Sequence, residues 1–140
     1  MTFGVAMGIK DSLEQKYDYE ILDEFLDHFS MMMDVIDLIV MDLDKEEMYR
    51  QSVDELFRTF HNIKSATGYL KLTSITSLSQ FVESFLEEMR LFKGPANEET
   101  ISWLLKIGDI FKSWQKEISN NAKSLSKIDY KLLKLPDMES

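Results

Sequence analysis

A histidine, a lysine one turn later and two small residues at the next turns stand together in Phe57-Arg58-Thr59-Phe60-His61-Asn62-Ile63-Lys64-Ser65-Ala66-Thr67-Gly68. A histidine that takes a phosphoryl group attacks through one neutral ring nitrogen while the other holds the proton. A carboxylate or amide that accepts that N–H fixes the tautomer and raises the basicity of the attacking nitrogen. The incoming group brings negative charge, and Lys64, at i+3 from His61, can place a cation beside it. Ser65 at i+4 and Gly68 at i+7 are small, which would let a partner's active site close over the imidazole. A glycine within a helix costs about 0.5–1 kcal/mol relative to alanine, so Gly68 asks for a reason.

These residues need a helix to present them. Phe57, Phe60, Ile63 and Leu70 mark the buried side of one, and on a 3.6-residue period His61 points well away from the centre of that side. The chain has 140 residues, enough for one domain with a real core, and 44% of them are apolar. Gly and Pro are scarce and heptad-like spacing dominates, which predicts an all-α domain. The absence of cysteine excludes disulfides, thiolate metal sites and cysteine nucleophiles. A net charge of −9 with no basic stripe argues against nucleic-acid binding. No stretch has the length and purity of a membrane span, and no basic region precedes the mildly apolar N-terminus, so a cytoplasmic protein without a signal peptide is expected.

Residues 1–17 read as a loose arm or short helix. From about Asp18 to Leu43, Leu22, Phe25, Leu26, Phe29, Met32, Met33, Ile36, Ile39, Val40 and Leu43 recur at three- and four-residue steps, a sustained apolar seam. Asp23, Asp27, Asp34 and Asp37 make an acidic opposite face, and His28 is a surface residue among carboxylates. Asp42–Glu47 reads as a turn, followed by a helix from about Gln51 to Tyr69. After a tight Lys71-Leu72 connection, Thr73 or Ser74 can cap a third helix with Ile75, Leu78, Val82, Phe85, Leu86, Met89 and Phe92 inward. Lys93-Gly94-Pro95 stops it, and Asn97 with Glu98 and Glu99 starts a fourth over about 97–119. This last helix has two apolar stripes where a four-helix bundle needs one. The second (Trp103, Ile107, Ile110 and Trp114) predicts a cover: a C-terminal packing helix in 121–140 bearing Leu125, Ile128, Leu132 and Leu133, or a dimer contact. The resulting divisions are an arm at 1–17, a bundle at 18–120, and a packing helix with a tail, or the start of a linker, at 121–140.

His61-x-x-Lys64-Ser65-x-x-Gly68, with Phe57-Arg58 before it, resembles the histidine phosphotransfer (HPt) domain. The likeness is nearest to the N-terminal phosphoryl-accepting domain of the chemotaxis histidine kinase. It implies an antiparallel four-helix bundle with His61 phosphorylated and Lys64 assisting. It further implies that a glutamate on the next helix, here Glu83, accepts the ring N–H. Glu83 also lies off the core face of the third helix by periodicity. The sequence departs from the family pattern at Ser65 and Lys71, where glycine is usual, and at Gln80, where the chemotaxis domains often carry histidine. Gln80 could support the ring and its carboxylate from behind, and Ser65 could donate a hydrogen bond to a phosphoryl oxygen.

Three function classes follow. The first is a phosphoryl carrier with no cofactor, no metal and no catalytic site of its own. It would accept from a histidine kinase or response regulator and pass to a receiver-domain aspartate, either free-standing or as the phospho-accepting domain of a larger kinase. No Gly-rich phosphate loop contradicts that division of labour. The second, a di-iron bundle, needs inward Glu-x-x-His pairs, but Arg58 and Phe25 stand at −3 from the two histidines. The third is a bundle of the same shape that binds a kinase or receiver without carrying phosphate. Neither the carrier nor the interaction domain requires nucleic acid or membrane, and a monomer is expected.

Overall fold

The computed structural model describes residues 7–139, so the expectations for Met1–Ala6 lie outside the described residues. Five α-helices follow in order: α1 (Ile9–Lys16), α2 (Tyr19–Met41), α3 (Tyr49–Tyr69), α4 (Thr73–Met89) and α5 (Glu98–Ser119). There is no strand among the described residues. The short connections reverse direction each time, and α2–α5 form the expected antiparallel bundle.

The periodic seam of α2 explains its burial. Leu22, Phe25, Phe29, Met33, Ile36 and Val40 are enclosed, while Leu26, Met32 and Ile39 form the half-buried margins. The far side is less purely acidic than its aspartates suggested, since Met31, Val35 and Leu38 are exposed there. Lys112 of α5 pairs with Asp37, pinning the α2–α5 seam. Across the core, Phe60 of α3 meets Phe111 edge-on with ring centroids 5.0 Å apart. Phe85 of α4 meets Trp103 at 4.9 Å in the same manner. Such edge contacts add about 0.5–1.5 kcal/mol each beyond the area they bury.

The helix ends show how local chemistry sets the boundaries. Asn97 caps α5 as its sequence position indicated, accepting a hydrogen bond from Thr100 N at 2.9 Å. At α4 the expected cap is displaced: Leu72 holds the N-cap position without a side-chain bond, and Thr73 and Ser74 lie in the first turn. Phe92, expected inside that helix, stands beyond its end and is half-buried. The turn before α3 is tighter than expected. A 3-10 turn at Asp42–Asp44 continues from α2, and α3 begins at Tyr49.

Two helices end with the chain in the left-handed region. Lys71 has φ 59° and Asn121 φ 57°. After α3, Leu72 N bonds Thr67 O at 2.9 Å and Lys71 N bonds Gly68 O at 3.2 Å, a Schellman cap. A lysine there bears the left-handed cost of about 1–2 kcal/mol that glycine escapes, which is the physical reason a glycine is usual at this position.

The second stripe of α5 is covered by the chain itself. The C-terminal segment runs along it largely extended, and its helical content is the single 3-10 turn Tyr130–Leu133. An α-helix would consume its carbonyls internally. Here Ser126 O accepts from Trp114 Nε1 at 2.9 Å and Leu132 O from Trp103 Nε1 at 2.8 Å. Buried indoles need such acceptors. An extended chain also covers more length per residue than a helix, about 3.3 against 1.5 Å. With the stripe occupied in this way, α5 has no need of a second copy to cover it. The fifth α-helix lies at the other end of the chain. The start of α1 docks on the end of α5 through Ile9 N to Ala122 O at 2.8 Å and Asp11 N to Asn121 Oδ1 at 3.0 Å.

Tyr49 ties the α4–α5 connection to α3. Its hydroxyl donates to Met89 O at 2.8 Å, and its ring fills the space where a Cβ on Gly94 (φ 76°) would stand. Burial raises the phenol's pKa above the usual 10.0. The neutral form is thus favoured in the folded state, and this contribution is complete below pH 10 and lost as the pH climbs through the raised value. Wild type should therefore lose more unfolding free energy than Tyr49→Phe between neutral pH and pH 11 in denaturant titrations. At neutral pH the variant should be about 1 kcal/mol less stable, because Met89 O loses the shorter of its two hydrogen bonds and keeps that from Phe92 N. Lys71→Gly should raise stability by about 1 kcal/mol through relief of the left-handed backbone, read from the denaturation midpoint.

Candidate functional site

His61 sits on α3 where the apolar stripe ends, and its side chain is 51% exposed. The neighbouring helix supplies what α3 lacks. The connection at Leu70–Leu72 is so short that α4 folds back along α3, the most extensive helix pair of the bundle. Below the site the Thr67 hydroxyl donates to Ile63 O at 2.7 Å and meets Thr76 Oγ1 at 2.9 Å, closing the two helices on each other. This register brings Glu83 opposite His61, one to two turns above the threonine pair.

The carboxylate of Glu83 is 10% exposed. His61 Nδ1 stands 3.5 Å from its Oε2. Lys64 Nζ donates to Oε1 at 3.0 Å and lies 2.9 Å from Oε2 without hydrogen-bond alignment, so Oε2 has no aligned donor. A buried carboxylate oxygen in that state is an acceptor waiting for an N–H, and the imidazole is beside it. The 3.5 Å spacing is long for a hydrogen bond. Catalytic contacts are often this loose until a reactive partner closes over them. With Nδ1 turned to Glu83, Nε2 is the nitrogen left to act as a nucleophile.

Lys64 also reaches across to the neighbouring helix. Its ammonium points to α4, where Gln80 Oε1 accepts a second bond at 3.2 Å. It therefore offsets the charge of Glu83 as well as lying one turn from the imidazole. Gln80 in turn donates to Ser84 Oγ at 3.3 Å. Ser65 is exposed on the other side of the histidine, in the groove between α2 and α3 with Asn62, Tyr69, Ile21 and His28. The structure thus brings His61, Lys64, Gln80 and Glu83 together and leaves Ser65 apart from the ion-paired group. At Gly68 an added Cβ would meet only the Thr76 methyl, at 3.8 Å. That is ordinary contact, so packing within the bundle does not require glycine there.

Two further residues at the site did not emerge from spacing arguments. Phe57, assigned to the core side, is half-buried and its ring lies nearly parallel to the imidazole, 6.0 Å away and tilted by 12°. Arg90, which ends α4, lays its guanidinium 4.0 Å from the centroid of Phe57. The aromatic at i−4 from a helical histidine was a usable signal. Arg90, distant in sequence, had none.

The family model of the Hpt domain matches residues 20–120, most of the chain. The chain belongs to the Hpt family. The match spans α2–α5 and contains every residue of the candidate site, while α1 and the C-terminal segment flank it. Chemotaxis protein CheA of Borreliella burgdorferi is 24% identical over 93 residues, which are 66% of this chain and 11% of that protein. The chain therefore corresponds to a small part of that relative's length. No solved structure matches significantly. Among the described residues no helix is long and apolar enough to cross a membrane, and no group of histidine and carboxylate side chains is placed to hold a metal ion.

Because the bundle tolerates a side chain at Gly68, Gly68→Ala should fold normally and gain about 0.5–1 kcal/mol in helix propensity. A loss of thermal stability would show that the glycine serves packing after all.

Proposed function

We propose that this Hpt domain carries a phosphoryl group on His61 Nε2, received from a histidine kinase or a response regulator and passed to the aspartate of a receiver domain. The observation that carries the reading is the exposed imidazole whose Nδ1 faces an unaligned, buried oxygen of Glu83. In the forward step the Nε2 lone pair attacks phosphorus, the P–N bond forms, and the donor's bond to phosphorus breaks with its electron pair leaving on the donor. The proton stays on Nδ1. The ring becomes cationic as the bond forms, and the Glu83 carboxylate stabilises that charge. In the return step a receiver aspartate oxygen attacks phosphorus, and Nε2 leaves as the neutral imidazole.

Lys64 holds Glu83 in place and supplies a cation one turn from the phosphoryl oxygens. Ser65 and Gly68 keep the surroundings low enough for a partner's active site to approach. The nucleotide and magnesium sites such transfers require would belong to the partners. The relative's name, Chemotaxis protein CheA, supports a chemotaxis system as the setting for this transfer. The active arrangement is monomeric and cytoplasmic on this reading, with the bundle as the working unit and its flanking segments as structural additions.

Incubation with phosphoramidate should give an acid-labile, base-stable adduct that peptide mapping places on His61. His61→Gln should fold with the same circular-dichroism spectrum and give none. Glu83→Gln, which keeps an acceptor but loses the charge, should slow labelling by about tenfold or more. A folded wild-type protein that no donor labels would favour the alternative, an Hpt-shaped domain that binds a kinase or receiver without carrying phosphate.

A further inference from the structure

Glu83 alone does not determine how the imidazole lies. A helical histidine has a broad second torsion, and a half-turn about it exchanges Nδ1 with a ring carbon. The flip is selected by the Glu83 carboxylate, but the plane of the ring needs a separate constraint. Helical side chains lean toward the N-terminus, so the imidazole at 61 lies over the residue four positions earlier. That residue is Phe57, whose ring is within 12° of parallel to it at 6.0 Å between centroids, an offset stack.

Phe57 is itself held. The Arg90 guanidinium lies 4.0 Å from its centroid. Arg90 Nε bonds Asp54 Oδ1 at 3.1 Å, and Nη1 bonds Glu87 Oε1 at 3.2 Å. Asp54 stands on α3 one turn before Phe57, and Glu87 on α4 one turn after Glu83. The carboxylates hold the planar fork from both helices, and a guanidinium against an aromatic face is attractive in its own right. The ion pairs are partly exposed and individually weak. Their consequence is orientation.

We propose that Phe57 and Arg90 are positioning residues for His61: Arg90 holds Phe57, and Phe57 sets the plane in which the imidazole presents Nδ1 to Glu83 and Nε2 to an incoming phosphoryl group. This rests on the carrier reading for its effect on transfer, but its effect on the ring exists without any phosphate. It assigns the end of α4, two turns beyond Glu83, to the histidine site.

Two readouts test it in Phe57→Leu, Phe57→Tyr and Arg90→Ala. Long-range 1H–15N NMR reports the tautomer of His61, and phosphoramidate labelling followed across pH reports transfer. Wild type should hold the Nδ1–H tautomer. Phe57→Leu should mix the tautomers and slow labelling by about tenfold, while Phe57→Tyr, which restores a flat ring, should return both to the wild-type values. Arg90→Ala should shift both in the same direction by about threefold. Thermal melts separate these effects from loss of the fold.

Unchanged tautomer and rate in folded Phe57→Leu would overturn the proposal, as would a folded Phe57→Tyr that restores neither. An unchanged Arg90→Ala would remove the guanidinium from it. If wild type takes no label at all, the carrier reading fails, and the tautomer measurements still decide whether Phe57 and Arg90 orient the ring.

Discussion

A carboxylate shut away between two helices has to be paired, and the Glu83 side chain is the point on which the site depends. Removing a charge from water costs several kcal/mol unless a partner and hydrogen bonds offset it. Lys64 supplies the offset from α3, across the helix pair, and one oxygen remains unaligned for the imidazole. The pairing works only in one register of α3 against α4. That register is held from below by the Thr67–Thr76 hydroxyl contact and by the Schellman cap that turns the chain at Lys71.

The rest of the bundle makes that register rigid. Aromatic contacts from α3 and α4 onto α5 fill the core behind the site, and the long seam of α2 closes it. Their contribution is that a half-exposed imidazole on the surface sits on helices that have one way to pack. The C-terminal segment continues this outward by giving both tryptophans of α5 their acceptors. An apolar stripe that would otherwise have faced solvent is covered in this way.

The site divides its work between near and far residues. Glu83 and Lys64 act through charge at hydrogen-bond distance, where small changes of geometry matter. Phe57 and Arg90 act through shape, restricting a torsion that charge leaves free. Gly68 belongs to neither group, since its neighbourhood in the bundle is open. On the proposed function, its smallness serves a molecule that approaches from outside.

The four bundle helices, the histidine and its lysine were legible in the sequence because each follows from short-range periodicity: apolar residues every three or four positions, with a titratable residue beside them. The position of Glu83 was legible through a family likeness and agreed with its place off the core face. Only the tertiary structure could assign the Lys64 ammonium to Glu83 and Gln80, because spacing along one helix says nothing of what the next one offers. It also replaced the expected C-terminal helix with an extended segment carrying one 3-10 turn. Leu125, Ile128 and Leu132 have helical spacing, but the indole N–H groups of Trp103 and Trp114 require backbone carbonyls that a helix would have used itself. Arg90 over Phe57 was likewise decided in three dimensions, since the two lie on different helices and nothing local links them. Local pattern determined which faces are buried; the pairing of groups across those faces came from the packing of one helix against another.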